Sequence, residues 1–169
     1  MSTPQTDETV PQEVKDLVAE QPGVLFSSAA LIPDARGRLV VVNPSYKDGW
    51  ELPGGMADEG EDPYATARRE VLEEIGLDLP LGRLLLCDAT PARVYGRMIL
   101  HFVFDAPALD AAQTRDLRAT DVELIGAAAL PVEQALAALH PRAAQRAETA
   151  LALRESGGFA YLVDGRPVG

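Results

Sequence analysis

Cysteine, long apolar runs and basic residues are all scarce in this chain, and each scarcity closes off a class of protein. The single cysteine, Cys87, cannot form an internal disulfide and fits a reducing compartment. It stands in the apolar run LLLCDA, the setting of a buried structural thiol rather than a nucleophile. No apolar run approaches the roughly 18 residues of a membrane span. The first residues, MSTPQTDETVPQEV, lack the basic and apolar regions of a signal peptide, so a cytoplasmic location with no membrane partner is expected. Fifteen Lys and Arg stand against 26 Asp and Glu, a formal net charge of −11. Such a surface repels nucleic acid and anionic membrane alike, so no nucleic-acid partner is expected. A phosphate-bearing ligand must then be met locally, by a few placed cations or a bound metal. Neither a GxSxG elbow nor a P-loop is present.

The 169 residues suffice for one domain with a real core, and 47% hydrophobic with 24% charged is an ordinary globular composition. Residues 1–22 read as a tail with a short helix at VKDLVAEQ (14–21), and residues 23–169 as one domain. VLFSSAALIPD and RLVVVNP are apolar runs around the turn signal Asp-Ala-Arg-Gly at 34–37, the pattern of a hairpin. RLLLCDA and RMILHFVFDA predict two strands, the second nearly all apolar and therefore central; residues 122–130 predict another. PVEQALAALH and RAAQRAETALALRES are helical by propensity, divided at Pro141, and FAYLV with Asp-Gly makes a short extended tail. Without a regular βαβ beat, the expectation is a mixed sheet with helices on both faces.

The stretch 55–77, GMADEGEDPYATARREVLEEIGL, carries helix punctuation: Asp62 as N-cap, Pro63 at the first helical position, Gly76 just past the end. Glu70, Glu73 and Glu74 crowd within five residues of that helix. Like charges at i, i+4 weaken a helix by about 0.2–0.5 kcal/mol, so the spacing asks for a reason. At 100° per residue, Glu73 lies about 60° to one side of Glu70 and Glu74 about 40° to the other. Tyr64, Ala67, Val71 and Ile75 form the neighbouring, core-facing arc. Three hard oxygen ligands aimed one way suit Mg²⁺ or Mn²⁺, which take carboxylates together with waters and phosphate oxygens. The plain alternative is a solvated glutamate face. An EF-hand is excluded, because counting from Asp58 puts Arg69 at position twelve, where a bidentate Glu is needed. His101, in a strand, and His140, beside Pro141, read as structural.

The surroundings decide between metal and solvent. Gly55, Glu61, the run Arg69-Glu70-Val71, the pair Glu73-Glu74 and the pair Gly76-Leu77 match GX5EX7REUXEEXGU, with U aliphatic, at all nine specified positions. WELPGG leads into it. The chain thus resembles the Nudix family, tightly over this box and loosely over residues 29–130. The resemblance implies an α+β fold, an α/β/α sandwich, and a divalent-metal-dependent pyrophosphohydrolase acting on a nucleoside diphosphate linked to another group. It implies that Glu70, Glu73 and Glu74 hold the metal with a backbone carbonyl of Gly54 or Gly55, and that Arg69 orients a catalytic glutamate. The base is then Glu73 or a glutamate on a downstream loop. Asp121-Val-Glu123 stands there, with Glu123 the better match, although alanines follow where the family often has tryptophan. Physically, a Pro-Gly-Gly turn lets backbone approach phosphates with no Cβ in the way. Arg69 is a bidentate donor able to fix a carboxylate, with an exposed pair to Glu73 as its alternative. Glu61 reads as a hydrogen-bond acceptor.

For substrate, Lys47, Arg38 and Arg97 are the nearest cations to meet phosphates. Tyr95 lies eighteen residues past Leu77 (95 − 77) and Pro91 fourteen (91 − 77). By resemblance the tyrosine falls at the edge of the spacing in diadenosine polyphosphate hydrolases, and the proline misses that of ADP-ribose pyrophosphatases. Nucleoside di- or triphosphates rank first, in a nucleotide-sanitising role. Dinucleoside polyphosphates and ADP-sugars come next, and a non-catalytic binding or regulatory module last. A homodimer is compatible with the sequence.

Overall fold

The computed structural model describes residues 10–168, so the expected tail over 1–9 lies outside the described residues. In chain order its elements begin with α1 (Gln12–Ala19), β1 (Leu25–Leu31), β2 (Leu39–Pro44), β3 (Gly54–Met56) and α2 (Pro63–Ile75). Next come β4 (Leu84–Thr90), α3 (Ala92–Tyr95), β5 (Ile99–Asp105), α4 (Ala111–Arg115) and β6 (Leu124–Leu130). The chain finishes with α5 (Val132–Ala138), α6 (Pro141–Ser156), β7 (Ala160–Val163) and β8 (Arg166–Pro167).

Six strands make one mixed sheet in the order β3-β1-β5-β4-β7-β8. As its apolar run predicts, β5 is central, parallel to β1 and antiparallel to β4. Successive residues of a strand face opposite ways, and the sheet uses this to serve two cores. Ala30 and Ile32 pack with Phe104, Leu109 and the Ala67, Val71 and Ile75 stripe of α2. Leu31 packs on the other side with Leu86, Val103 and the Ala143, Ala147 and Ala150 stripe of α6. Burying a Val or Ile side chain is worth about 1.5–3 kcal/mol, so Val71 and Ile75 hold α2 on the sheet. Helices on both faces of a mixed sheet are thus observed. Pro141 divides α5 from α6 as expected, standing at the first position of α6.

The hairpin expected around residues 34–37 forms only at its turn. The Asp34 N–H donates to the Arg38 carbonyl and the Val40 N–H to that of Ile32. Beyond the turn β1 stays in the large sheet, while β2 pairs antiparallel with β6 as a second, two-stranded sheet. The reason lies in Pro33, which has no N–H for a ladder, and in residues 39–42, all buried and lacking a polar face. The C-terminal stretch also departs from a simple extended tail. Asp164 and Gly165 both take left-handed φ, 53° and 76°, as a two-residue hairpin turn with right-handed strand twist requires. They join β7 to β8, and β7 adds in parallel to β4.

Candidate active site

Helix α2 is built as its sequence specifies. The Asp62 carboxylate accepts from the N–H groups of Tyr64 and Ala65 at 2.8 and 2.9 Å, Pro63 occupies the first turn, and Gly76 ends the helix at φ 71°. Beside it runs β3, antiparallel to β1 with Ala29 opposite Gly54 and Ser28 opposite Gly55. Neither glycine has free room for a Cβ. A Cβ on Gly54 would lie 2.3 Å from the Ser28 carbonyl oxygen, and one on Gly55 would lie 2.4 Å from Glu70 Oε1. The Gly-Gly strand therefore lies directly against the carboxylates of α2.

The three glutamates do not occupy equivalent places. Glu74 is buried and accepts from the Gly54 N–H at 2.8 Å. Burial pushes its carboxyl up to about 8, with Glu70 and Asp121 adding to the rise and the Gly54 N–H opposing it. Glu70 is raised too, chiefly by burial, against the pull of Arg69. Glu73 is half-exposed and engaged by Arg69. The even convergence expected from the helical wheel is therefore not seen. Among the described residues no group of three or more His, Cys, Asp or Glu is already arranged to hold a metal.

Arg69 organises the carboxylates around it. Its Nε and Nη2 donate to the two oxygens of Glu61 at 2.7 and 3.0 Å. Nη1 reaches Glu70 at 2.9 Å and Glu73 at 3.0 Å, and Nη2 also donates to the Met56 carbonyl. Held by Arg69 first, and also by the Asp58 N–H and Thr66 hydroxyl, Glu61 drops to about 2. The Arg69 guanidinium is correspondingly raised, mainly through Glu61. Glu61 is thus the acceptor that anchors Arg69, and Arg69 in turn spaces Glu70 from Glu73.

Glu70 and Glu74 open into a cavity of about 250 Å³ that also receives Asp58, Asp121 and Glu123. The loop before β6 reaches there because Thr120 clamps the end of α2, its N–H on the Glu74 carbonyl and its hydroxyl on that of Glu73. Inside this loop the Glu123 N–H donates to Asp121 Oδ1 at 2.8 Å. A second cavity, about 300 Å³, shares Gly54, Gly55, Met56 and Glu74 with the first. Lys47 and Tyr95 line the second cavity only. Lys47 pairs with Glu51 at 3.0 Å. The other two expected cations are used elsewhere: Arg38 closes the Asp34 turn, and Arg97 donates to the Gly23 carbonyl.

The sequence reading missed the wall of this second cavity. His101 lines it, with Nδ1 2.7 Å from the Ser27 hydroxyl and a buried Nε2 that has no partner among the described residues. Burial, reinforced by Arg146, lowers His101 to about 4, so the ring is neutral near pH 7. Arg146 lines the cavity too and is paired with buried Asp88. A histidine in an apolar strand gives no sequence signal that its ring faces a cavity; the register opposite Ser27 decides that. Cys87 is buried, as expected.

The donor set fits a hard divalent cation. Two carboxylates, buried Glu74 and partly buried Glu70, stand where their charge is disfavoured, and a Gly-Gly backbone lies within reach of them. No helix among the described residues is long and apolar enough to cross a membrane.

Comparison with known proteins bears on the family and the fold. The profile described as "NUDIX domain" matches residues 26–153, well over half the chain. Curated relatives include "Nucleoside diphosphate-linked moiety X motif 6" of Xenopus laevis, 38% identical over 77 residues, 44% of this chain and 34% of that protein. "Diphosphoinositol polyphosphate phosphohydrolase 2" of Rattus norvegicus is 47% identical over 47 residues, 28% of this chain and 26% of that one. The matched stretches thus span about a third or less of these relatives. Among solved structures, the NUDIX domain of Shewanella oneidensis NrtR complexed with ADP ribose superposes with a TM-score of 0.68 at 19% identity, covering 88% of this chain and 100% of that one. At that identity the likeness speaks to the fold alone.

Proposed function

This chain belongs to the Nudix family of pyrophosphohydrolases, and on that premise we propose that it hydrolyses the pyrophosphate bond of nucleoside di- or triphosphates with Mg²⁺ or Mn²⁺. The observation that carries the reading is buried Glu74 with partly buried Glu70 beneath the Gly54-Gly55 strand, opening into the cavity that holds Glu123. Glu70 and Glu74, with the Gly54 carbonyl and Glu73, would hold the ion. When bound, the ion would neutralise charge on the bridging and leaving oxygens and acidify water. The residues supply the rest. Arg69 fixes Glu70 and Glu73 in place through its anchor on Glu61. The Gly-Gly backbone admits the phosphates without a side chain in the way. Glu123, in the same cavity but outside the helix, takes the proton of the attacking water. The second cavity receives the organic group between Tyr95, His101 and Lys47.

Tyr95 on that wall favours dinucleoside polyphosphates or ADP-sugars as the runner-up, since an aromatic face there can stack on a base. The acidic surface argues against RNA substrates. A panel of nucleotides incubated with Mg²⁺ and with Mn²⁺, products separated and identified, tests the proposal. Release of nucleoside monophosphate with phosphate or pyrophosphate is expected. Binding of nucleotide without turnover under either ion would leave a binding module instead.

A further inference from the structure

We propose that the Asp164-Gly165 turn is a clasp that joins two walls of the second cavity, with Asp164 a positioning residue for affinity toward the organic group. The inference rests on the reading above that this cavity receives that group. The turn lies beyond residues 26–153, outside the stretch matched to the family.

One carboxylate spans two helices. Asp164 Oδ2 accepts from Arg93 Nη2 on α3, and Oδ1 accepts from Arg142 Nη1, in the first turn of α6, at 2.6 Å. Arg93 sits two residues before Tyr95, and Arg142 sits between His140 and Ala143; Tyr95, His140 and Ala143 all line the cavity. The backbone of the same turn is pinned as well. The Asp164 N–H donates to the Ala89 carbonyl at 3.0 Å, the Gly165 N–H to buried Asp88 Oδ1 at 2.9 Å, and Gln145 Nε2 to the Gly165 carbonyl at 3.0 Å. The other Asp88 oxygen accepts from Arg146, also in the cavity wall, at 3.2 Å. The clasp therefore ties α3, the first turns of α6 and strand β4 together.

An isolated exposed ion pair contributes little. Here a single carboxylate is shared by guanidiniums from separate elements, and its direction is fixed by a turn tied down on both sides. Both arginines hold the Asp164 carboxyl below the usual range, with Arg142 the larger influence. No atom of the clasp belongs to the carboxylate cavity on α2. Loosening it should move α3 and the start of α6 relative to each other, and so cost affinity for the group between them, while leaving the reacting end intact.

The test is Asp164→Asn, which removes the charge but keeps a residue that accepts left-handed φ, so the turn survives. Hydrogen–deuterium exchange on the metal-free protein should show faster exchange in both 92–96 and 141–147. Calorimetry with methylene-bridged nucleoside diphosphates and Mg²⁺ should show Kd raised about five- to tenfold, with KM raised alike. The kcat should stay within about twofold of wild type. Arg142→Gln should reproduce the effect and add little to Asp164→Asn in the double variant. Faster exchange in only one wall, or in neither, overturns the clasp. So does loosening of both walls with Kd and KM unchanged, or a fall in kcat at constant KM. If wild type binds no nucleotide, the substrate reading fails, and the exchange measurement alone then decides whether Asp164 joins the two walls.

Discussion

A carboxylate buried beneath a glycine strand can settle its charge with a proton or with a cation, and Glu74 is placed for either. Without an ion, burial keeps it protonated to about pH 8. Replacing Glu74 or Glu70 with Gln should therefore cost activity by about two orders of magnitude, the scale of losing a key electrostatic group. Yet the metal-free variant should melt no lower than wild type, because the amide carries no charge to desolvate. Marked destabilisation of metal-free Glu74→Gln in a melting curve would make these glutamates structural and remove them from the site. Glu123 answers a different measurement. It lines the carboxylate cavity without lying on α2, so Glu123→Gln should lower kcat about 100-fold while KM stays nearly constant. If the variant keeps more than about a third of kcat, the base is another group. Asp121, in the same cavity, then comes first for testing, and Glu73, tied to Arg69, second.

Helix α2 and strand β3 show how much could be read beforehand and where reading ended. Asp62, Pro63 and Gly76 act locally, through caps and backbone angles, so the sequence carried the helix ends in full. Strands β1, β2, β4, β5 and β6 and the two C-terminal helices followed from apolar runs and Pro141 for the same reason. What was not legible depends on contacts distant in sequence. The parting of β1 from β2 needs β6 as a partner, and the docking of Glu123 needs Thr120 on the end of α2. The cavity wall at His101 needs the β1–β5 register, and the departure of Glu73 from its neighbours needs Arg69 anchored on Glu61. The two glycines of β3 make a paired prediction. Gly54→Ala drives a Cβ into the Ser28 carbonyl, which is backbone and cannot yield, so the melting temperature should fall by several degrees. Gly55→Ala meets only the end of the Glu70 side chain, which can swing aside. Its melting temperature should stay near wild type while activity falls more than about tenfold. Equal melting temperatures for the two variants would mean that β3 is not wedged between β1 and α2.

The whole molecule combines these local charges into a pH response whose sign can be worked out. Glu74 is raised in the folded protein to about 8, so between the ordinary carboxylate value and pH 8 the unfolded chain loses a proton that the folded one keeps. Its contribution to stability is thus fully present at low pH and is lost as pH rises through 8. His101 is depressed from 6.5 to about 4, so the unfolded chain gains a proton that the folded one refuses. Its contribution is present above 6.5 and is lost as pH falls toward 4. Glu61, held near 2, loses its contribution only below the ordinary carboxylate range. The metal-free protein should then melt highest across a plateau from about pH 4.5 to 6.5, where the two slopes cancel, declining on the alkaline side through Glu74 and below the plateau through His101. Glu74→Gln should flatten the alkaline flank and uncover a rise in stability up to pH 6.5 from His101. Millimolar Mg²⁺ should raise the melting temperature by linkage, and more at pH 8 than at pH 6, because it competes with the Glu74 proton. The shift should be smaller in Glu73→Gln if Glu73 completes the ligand set. A Mg²⁺ shift independent of pH, or unchanged in Glu74→Gln, would place the ion away from this carboxylate pair.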